Sequence, residues 1–152
     1  MTYDSRPETA AHADRVLVLL KPVIGELSYR SLRHDLSKME PPEVEVFDEF
    51  TPKLKTSTYG SEEYKGFLAA MGEGLAHHYA NNRHHPEHFE EEIDGMTLVD
   101  LIEMLADWKA ATERHNDGSL ARSLVIQSDR FKISHQLAAI LRNTAIHFGW
   151  LE

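Results

Sequence analysis

Histidine and aspartate are the residues in this chain whose spacing could support chemistry. Ten of the 152 residues are histidine. Most of them fall at a few places that also carry carboxylates: His12, the pair His34-Asp35, the pair His77-His78, the run His84-His85-Pro86-Glu87-His88, and then Asp107. Imidazoles and carboxylates suit Zn, Fe, Mn, Co or Ni, and such a ligand set alone does not choose among these metals. The chain has no cysteine. That excludes disulfides, zinc–thiolate sites, iron–sulfur clusters and a thiol nucleophile. Any metal here is held by His and carboxylates.

Each place has an ordinary reading beside the chemical one. His34-Asp35 is either a surface pair or two ligands that share a metal with residues from other helices. Lys38 lies four residues after His34, on the same face of a helix, where it can meet an anionic ligand. His78 falls on the apolar face of a helix with Tyr64, Phe67, Leu68, Met71 and Leu75. It is either a core histidine satisfied by one hydrogen bond or a ligand, and His77 on the flank is the weaker candidate. The run from His84 to His88 is a solvated loop or a ligand cluster. Asp107 sits at the margin of another apolar face, so it is exposed, paired with Lys109 or Arg114, or bound to a metal. Glu103, one turn earlier, can support a ligand. His12 is an exposed histidine or a further ligand.

The elements that must position these residues all read as helices. Strand-like alternation is nearly absent, and apolar residues recur at three- and four-residue spacing. We expect an all-α bundle of about six or seven helices. The first runs from about residue 7 or 9 to 28, with Val16, Leu19, Leu20, Val23, Ile24 and Leu27 on its apolar face and a kink or break at Pro22. A short helix over 29–38 follows. Pro41-Pro42 opens a third, with Val44, Phe47 and Phe50 on one side, and Thr51-Pro52 ends or bends it. Residues 53–60 read as loop. Ser61 caps a helix over 61–81, and 81–95 is a polar, His-rich segment. Thr97 with Asp100 starts a strong helix over 97–115, whose core side carries Leu98, Leu101, Ile102, Leu105 and Trp108. A turn at Asn116-Asp117-Gly118 leads to helices over 119–127 and 134–148, with Gly149 as the stop.

The whole length reads as one domain, with residues 1–8 as a flexible start. Apolar residues at 41% and charged residues at 27% fit a soluble globular chain with a real core. The net charge of −9 argues against a general nucleic-acid binder, but it leaves room for a basic pocket around one small phosphate. No apolar run approaches a membrane span, and the N-terminus lacks a secretion core, so a cytoplasmic protein without a membrane partner is expected.

The order His12, His34-Asp35, His78, His84-His85, Asp107 resembles the HD superfamily of metal-dependent phosphohydrolases. The stretch His34-Asp35-Leu36-Ser37-Lys38 is similar to the HD-x-G-K box, with Ser37 where glycine is common. His84-His85-Pro86-Glu87 resembles a segment of the branch that hydrolyses cyclic dinucleotides. So do Ile93-Asp94-Gly95 and the stretch from Leu105 to Ala110. The closest resemblance is to an uncharacterised family of small phage and bacterial HD-like proteins. Four motifs carry it: His34 to Lys38, Tyr59-Gly60-Ser61-Glu62-Glu63-Tyr64, Asn82 to His88, and Glu103-Met104-Leu105-Ala106-Asp107-Trp108.

The resemblance implies an all-helical fold and one or two divalent metals per chain. His12, His34, Asp35 and Asp107 would hold one. His78, His84 and His85 would hold a second, with Asp35 bridging. It implies hydrolysis of a phosphate ester or anhydride by metal-activated water. Asp35, Lys38 and Glu103 would be the catalytic group, with Lys38 on the phosphate and Glu103 orienting a ligand. Arg30, Arg33, Asn82 and Arg83 are further substrate-binding candidates. The partner expected is a small phosphorylated substrate, first of all a nucleotide, rather than a nucleic-acid polymer, and a homo-oligomer is admitted. Two other classes compete. One is a helical His/carboxylate protein handling oxygen at a di-iron site, for which Glu73 with His77 and His84 with His88 have i,i+4 spacing. The other is a non-catalytic HD-like module that binds a nucleotide or a partner protein.

Overall fold

A computed structural model describes residues 3–58, 60–114 and 118–151. Seven α-helices and three short 3-10 turns lie among the described residues, with no strand. The all-α class expected from periodicity is the observed one. No helix among the described residues is long and apolar enough to cross a membrane. The chain divides into two compact units, Met1–His34 and Asp35–Glu152.

The first unit is one helix, α1 (Arg6–Ser31). It runs through Pro22 and absorbs part of the segment expected to form a separate helix over 29–38. Its apolar residues Val16, Leu19, Leu20, Val23 and Ile24 are exposed. A unit made of one helix has no second layer to bury a face against.

The second unit carries the core. After a 3-10 turn (Leu36–Met39), α2 spans Glu43–Thr56. It continues through Pro52, so it forgoes one backbone hydrogen bond there, and its last turn occupies residues expected to be loop. The helix expected over 61–81 is two helices, α3 (Glu62–Ala70) and α4 (Gly72–Asn81). The break falls at Gly72, whose φ of +50° is a left-handed conformation that glycine adopts without steric cost. Ser61 caps α3 as expected, accepting from the Tyr64 N–H.

Two 3-10 turns (Pro86–His88 and Glu92–Gly95) lead to α5 (Leu98–Thr112). Thr97 and Asp100 form a reciprocal capping box at its start. Leu101, Met104, Leu105 and Trp108 of α5 pack with Leu120 and Leu124 of α6 (Leu120–Arg130) and Leu141 and Ala145 of α7 (His135–His147). Leu98 and Ile102, expected in that core, are exposed. Gly149 at φ +69° follows the end of α7, as its position suggests. Tyr59, His115 and the first two residues of the Asn116-Asp117-Gly118 turn lie outside the described residues.

Candidate metal centre

Three local features bring the histidines together. The first is the packing of α4 on α2. Gly74 meets Val46 so closely that a Cβ on Gly74 would lie 2.6 Å from Val46 Cγ2. This contact seats α4 against α2 and puts His78, one turn further on, beside Glu43 at the first position of α2. The second is the end of α4. Asn82 is extended, and the turn that follows is closed by the His85 N–H donating to the Asn82 carbonyl at 3.1 Å. That fold-back returns His84 and His85 toward His78. Glu87 of the next turn is held by Arg130 from α6. The third is Asp35, which adopts a left-handed backbone with φ of 60° in place of the expected helix. Asp tolerates this region better than most residues because its short side chain can bond locally. The 3-10 turn that follows keeps Lys38 within reach, and its Nζ lies 2.6 Å from Asp35 Oδ2.

Asp35, His78, His84 and His85 each offer one ligand atom, and all four atoms lie within 4.8 Å of one another. Asp35 Oδ1 is 3.4 Å from both His78 Nε2 and His84 Nε2. His78 Nε2 and His85 Nε2 are 2.9 Å apart. Asp35, His84 and Asp107 also offer atoms within 4.8 Å of one another. Asp35 and His84 are thus common to two overlapping groups. The donor set of imidazole nitrogens and carboxylate oxygens fits a divalent transition ion.

The protonation states favour that use. Burial pushes the His85 pKa down to about 2, helped by His84 and His78 and opposed by Asp107 and Asp35. Burial also lowers His78, as does the charge of Lys38, against the opposing pull of Asp35 and Glu43. Both rings are neutral near pH 7, the form that ligates metals. His84 Nδ1 lies 3.5 Å from Glu103 Oε1.

Glu43 is the residue that sequence reasoning missed. It is fully buried, and it accepts hydrogen bonds from Ser37 Oγ, His77 Nδ1 and His78 Nδ1. Burial raises its carboxyl pKa, but the bonds from His77, Ser37 and His78 outweigh that and hold it below the ordinary value. One signal was available: Glu43 stands four and seven residues before Phe47 and Phe50, on the apolar side of α2. A charge there needs partners.

The other expected site residues are placed as follows. His12 is exposed on α1, and His34 closes the first unit directly before Asp35. Arg30 lies 3.8 Å from Glu26, and Arg33 stacks over Tyr29, both within that unit. Asn82 turns inward and donates to Ser37 Oγ and to the His78 carbonyl, both at 2.8 Å. Arg83 is engaged by buried Asp100 and lies over the Phe89 ring. The Glu73–His77 and His84–His88 pairs do not form helical ligand pairs. Glu73 is exposed, His77 bonds Glu43, and His84 and His88 lie across a turn rather than along one helix. His88 Nδ1 lies 3.2 Å from the Tyr79 carbonyl.

The cluster opens onto a cavity of about 890 Å³. Its wall includes Lys38, His78, His85 and Asp107, apolar and aromatic groups from Phe47, Leu68, Met71 and Tyr79, and two further cations, Lys55 and Arg114. Its volume is that of a small-molecule site, on the order of 300–1,000 Å³.

Fold and site together define a class: an all-helical protein with a buried His/Asp cluster able to hold a metal ion at the wall of a cavity. Within that class, the family model for a family of unknown function (DUF5662) matches residues 1–147, and the chain belongs to that family. Searches of curated proteins and of solved structures gave no match.

Proposed function

We propose that the protein is a metal-dependent phosphohydrolase of the HD type, acting on a small phosphate ester or anhydride, with nucleotides as the first substrate class. The observation that carries this reading is the meeting of Asp35 Oδ1 with the Nε2 atoms of His78 and His84, and of His78 Nε2 with His85 Nε2, at a cavity wall, with the Lys38 ammonium on the other oxygen of Asp35. An oxygen-handling site does not need that lysine, whereas a phosphoryl group does. The lack of helical i,i+4 ligand pairs also weighs against a di-iron site.

In this reading Asp35, His78, His84 and His85 hold one ion. Asp107, with Asp35 and His84, holds a second where two are bound. The chemistry such an ion supplies is Lewis acidity, which lowers the pKa of water and polarises a phosphoryl oxygen. Lys38 uses one of its three donors on Asp35 and keeps the others for substrate phosphate. The apolar wall from Phe47 to Met71 receives the non-reacting part of the substrate and excludes water, while the charges of Lys55 and Arg114 on that wall are matched by Asp48 and Glu113, which leaves Lys38 as the cation for phosphate. Asn82 and Arg83 serve the frame of the site rather than the substrate. The protein works in the cytoplasm, with no polymer or membrane partner.

The test is metal content by elemental mass spectrometry on untagged protein, for wild type and Asp35→Ala, followed by phosphate release from a panel of nucleotides with Mn, Co and Ni. Metal near stoichiometry in wild type, lost in the variant, with phosphate released only by the loaded wild type, is expected. A folded wild type that takes up no metal overturns the proposal, and so does a loaded protein inert on every phosphate ester tested. The binding-module reading would then lead.

A further inference from the structure

Glu43 has a role that packing alone does not explain. A fully buried carboxylate is a poor core residue, because an apolar side chain would fill the same space without desolvating a charge. Here three donors converge on it. Oε2 takes Ser37 Oγ at 2.9 Å and His78 Nδ1 at 2.8 Å, and Oε1 takes His77 Nδ1 at 2.7 Å. An ionised Glu43, its pKa held low by these same bonds, sets their directions. Asn82 Nδ2 donates to Ser37 Oγ at 2.8 Å, so Ser37 spends its single hydrogen on Glu43. An ionised carboxylate can only accept, so the shared proton of the His78–Glu43 bond is on Nδ1. Asn82 Nδ2 also lies 3.0 Å from His78 Nδ1, but its two hydrogens go to Ser37 Oγ and to the His78 carbonyl, both at 2.8 Å, so it leaves Nδ1–H unopposed.

The consequence lies on the far side of the ring. A neutral imidazole protonated at Nδ1 carries its lone pair at Nε2, and His78 Nε2 faces Asp35 Oδ1 and His85 Nε2. The other tautomer would put a hydrogen on Nε2, pointed at Asp35 Oδ1 at 3.4 Å. That nitrogen would then have no lone pair for an ion. We propose that Glu43 is a positioning residue that selects the Nδ1–H tautomer of His78 and so keeps a lone pair on its Nε2, which accepts from His85 Nε2–H at 2.9 Å in the metal-free chain and can pass to an ion. His77 shares the carboxylate but is itself half-exposed, with a side chain 43% accessible. The buried His78 is the partner whose tautomer matters.

The inference rests on the metal-site reading, and its test separates the two. Long-range proton–nitrogen spectra of metal-free protein labelled with ¹⁵N at histidine report the tautomer of His78. Titration with Co(II), followed by its visible ligand-field bands, reports affinity. Wild type is expected to show His78 protonated at Nδ1. Glu43→Leu is expected to shift the ring to Nε2–H and to weaken Co(II) binding about 10–100-fold, the usual cost of losing such a support. His77→Ala, which leaves the His78–Glu43 bond in place, is expected to stay within about twofold of wild type on the same scale. Glu43→Gln covers the case in which the leucine variant does not fold. Its amide oxygen can still accept from His78 while its NH2 faces His77, so the Nδ1–H tautomer and most of the affinity are expected to survive. An Nε2–H ring in wild type overturns the inference. So does a folded Glu43→Leu that keeps both the Nδ1–H signature and wild-type affinity, or a folded Glu43→Gln in which His78 is protonated at Nε2. If wild type takes up no Co(II), the metal reading fails, and the tautomer comparison still decides the role of Glu43.

Discussion

The contact between Gly74 and Val46 makes a prediction that can be worked from distances. In Gly74→Ala the new Cβ would lie 2.6, 2.8 and 3.0 Å from Val46 Cγ2, Cβ and Cγ1. Carbon atoms at rest sit about 3.5–4.0 Å apart, so the contact is short by roughly 1 Å. Rotation of the valine gives no relief, because its Cβ is one of the atoms struck. Helices α2 and α4 must therefore separate by a distance on the order of 1 Å. Overpacking of this kind costs about 1–3 kcal/mol. Alanine gains back up to about 1 kcal/mol in helix propensity over glycine. The net expectation is a loss of about 1–2 kcal/mol, read by urea unfolding of the metal-free protein. The shift also pulls His78 away from Glu43, one turn along α4, so Co(II) affinity falls in the same variant. Adding Val46→Ala removes two of the three colliding atoms and should recover part of both losses, giving a favourable coupling of about 1 kcal/mol between the two sites. The argument is refuted if Gly74→Ala is as stable as wild type and the double variant shows no coupling.

Three further expectations come from other parts of the structure. Thr97→Ala breaks the reciprocal cap of α5 and should lower stability by about 1 kcal/mol in urea unfolding, with metal binding unchanged. The depressed pKa of His85, about 2 in the folded chain, makes metal-free stability pH-dependent. Below about pH 6.5 the unfolded chain takes up a proton that the folded ring refuses, so this contribution is complete above that pH and falls by roughly 1.4 kcal/mol per unit on acidification. His85→Asn should flatten the slope between pH 5 and 6.5 by about 1 kcal/mol per unit, the unfolded ring being only half protonated at the upper end, and an unchanged slope would show that the ring protonates in place. Lys38→Met should leave metal content near wild type while phosphate release falls at least about tenfold through loss of the charge-assisted contact to substrate. Full activity in that variant would remove Lys38 from the substrate site.

Part of this molecule could be read without coordinates. Helical periodicity identified the class, the inward face of α4 with His78 on it, and the buried side of α5 at Leu101, Leu105 and Trp108. Capping chemistry placed Ser61 and Thr97, since a helix start is a local contest for free backbone N–H groups. Where the readings missed, a local rule met a competing term. Pro22 and Pro52 lie inside continuous helices, so of the two outcomes expected at each proline the break did not occur. Gly72 did stop one, by adopting a left-handed backbone at a place where the apolar pattern continued. Residues 29–38 divided between the end of α1, a turn at Asp35 and a 3-10 turn.

The residues of the His/Asp cluster were legible by type, because imidazole and carboxylate are scarce on apolar faces and cost free energy there unless bonded. Tertiary structure alone decided what each one meets. Asn82 and Arg83 look like substrate groups in the chain, but they are turned to Ser37 and Asp100, since a donor takes the nearest buried acceptor. Glu43 looks like a first-turn acid favourable to the helix dipole. It becomes the shared acceptor of two histidines because Gly74 lets α4 approach α2 at that point. Periodicity shows which face of a helix is buried, but not which distant helix covers it, and the ring nitrogen turned toward Asp35 follows from that second fact.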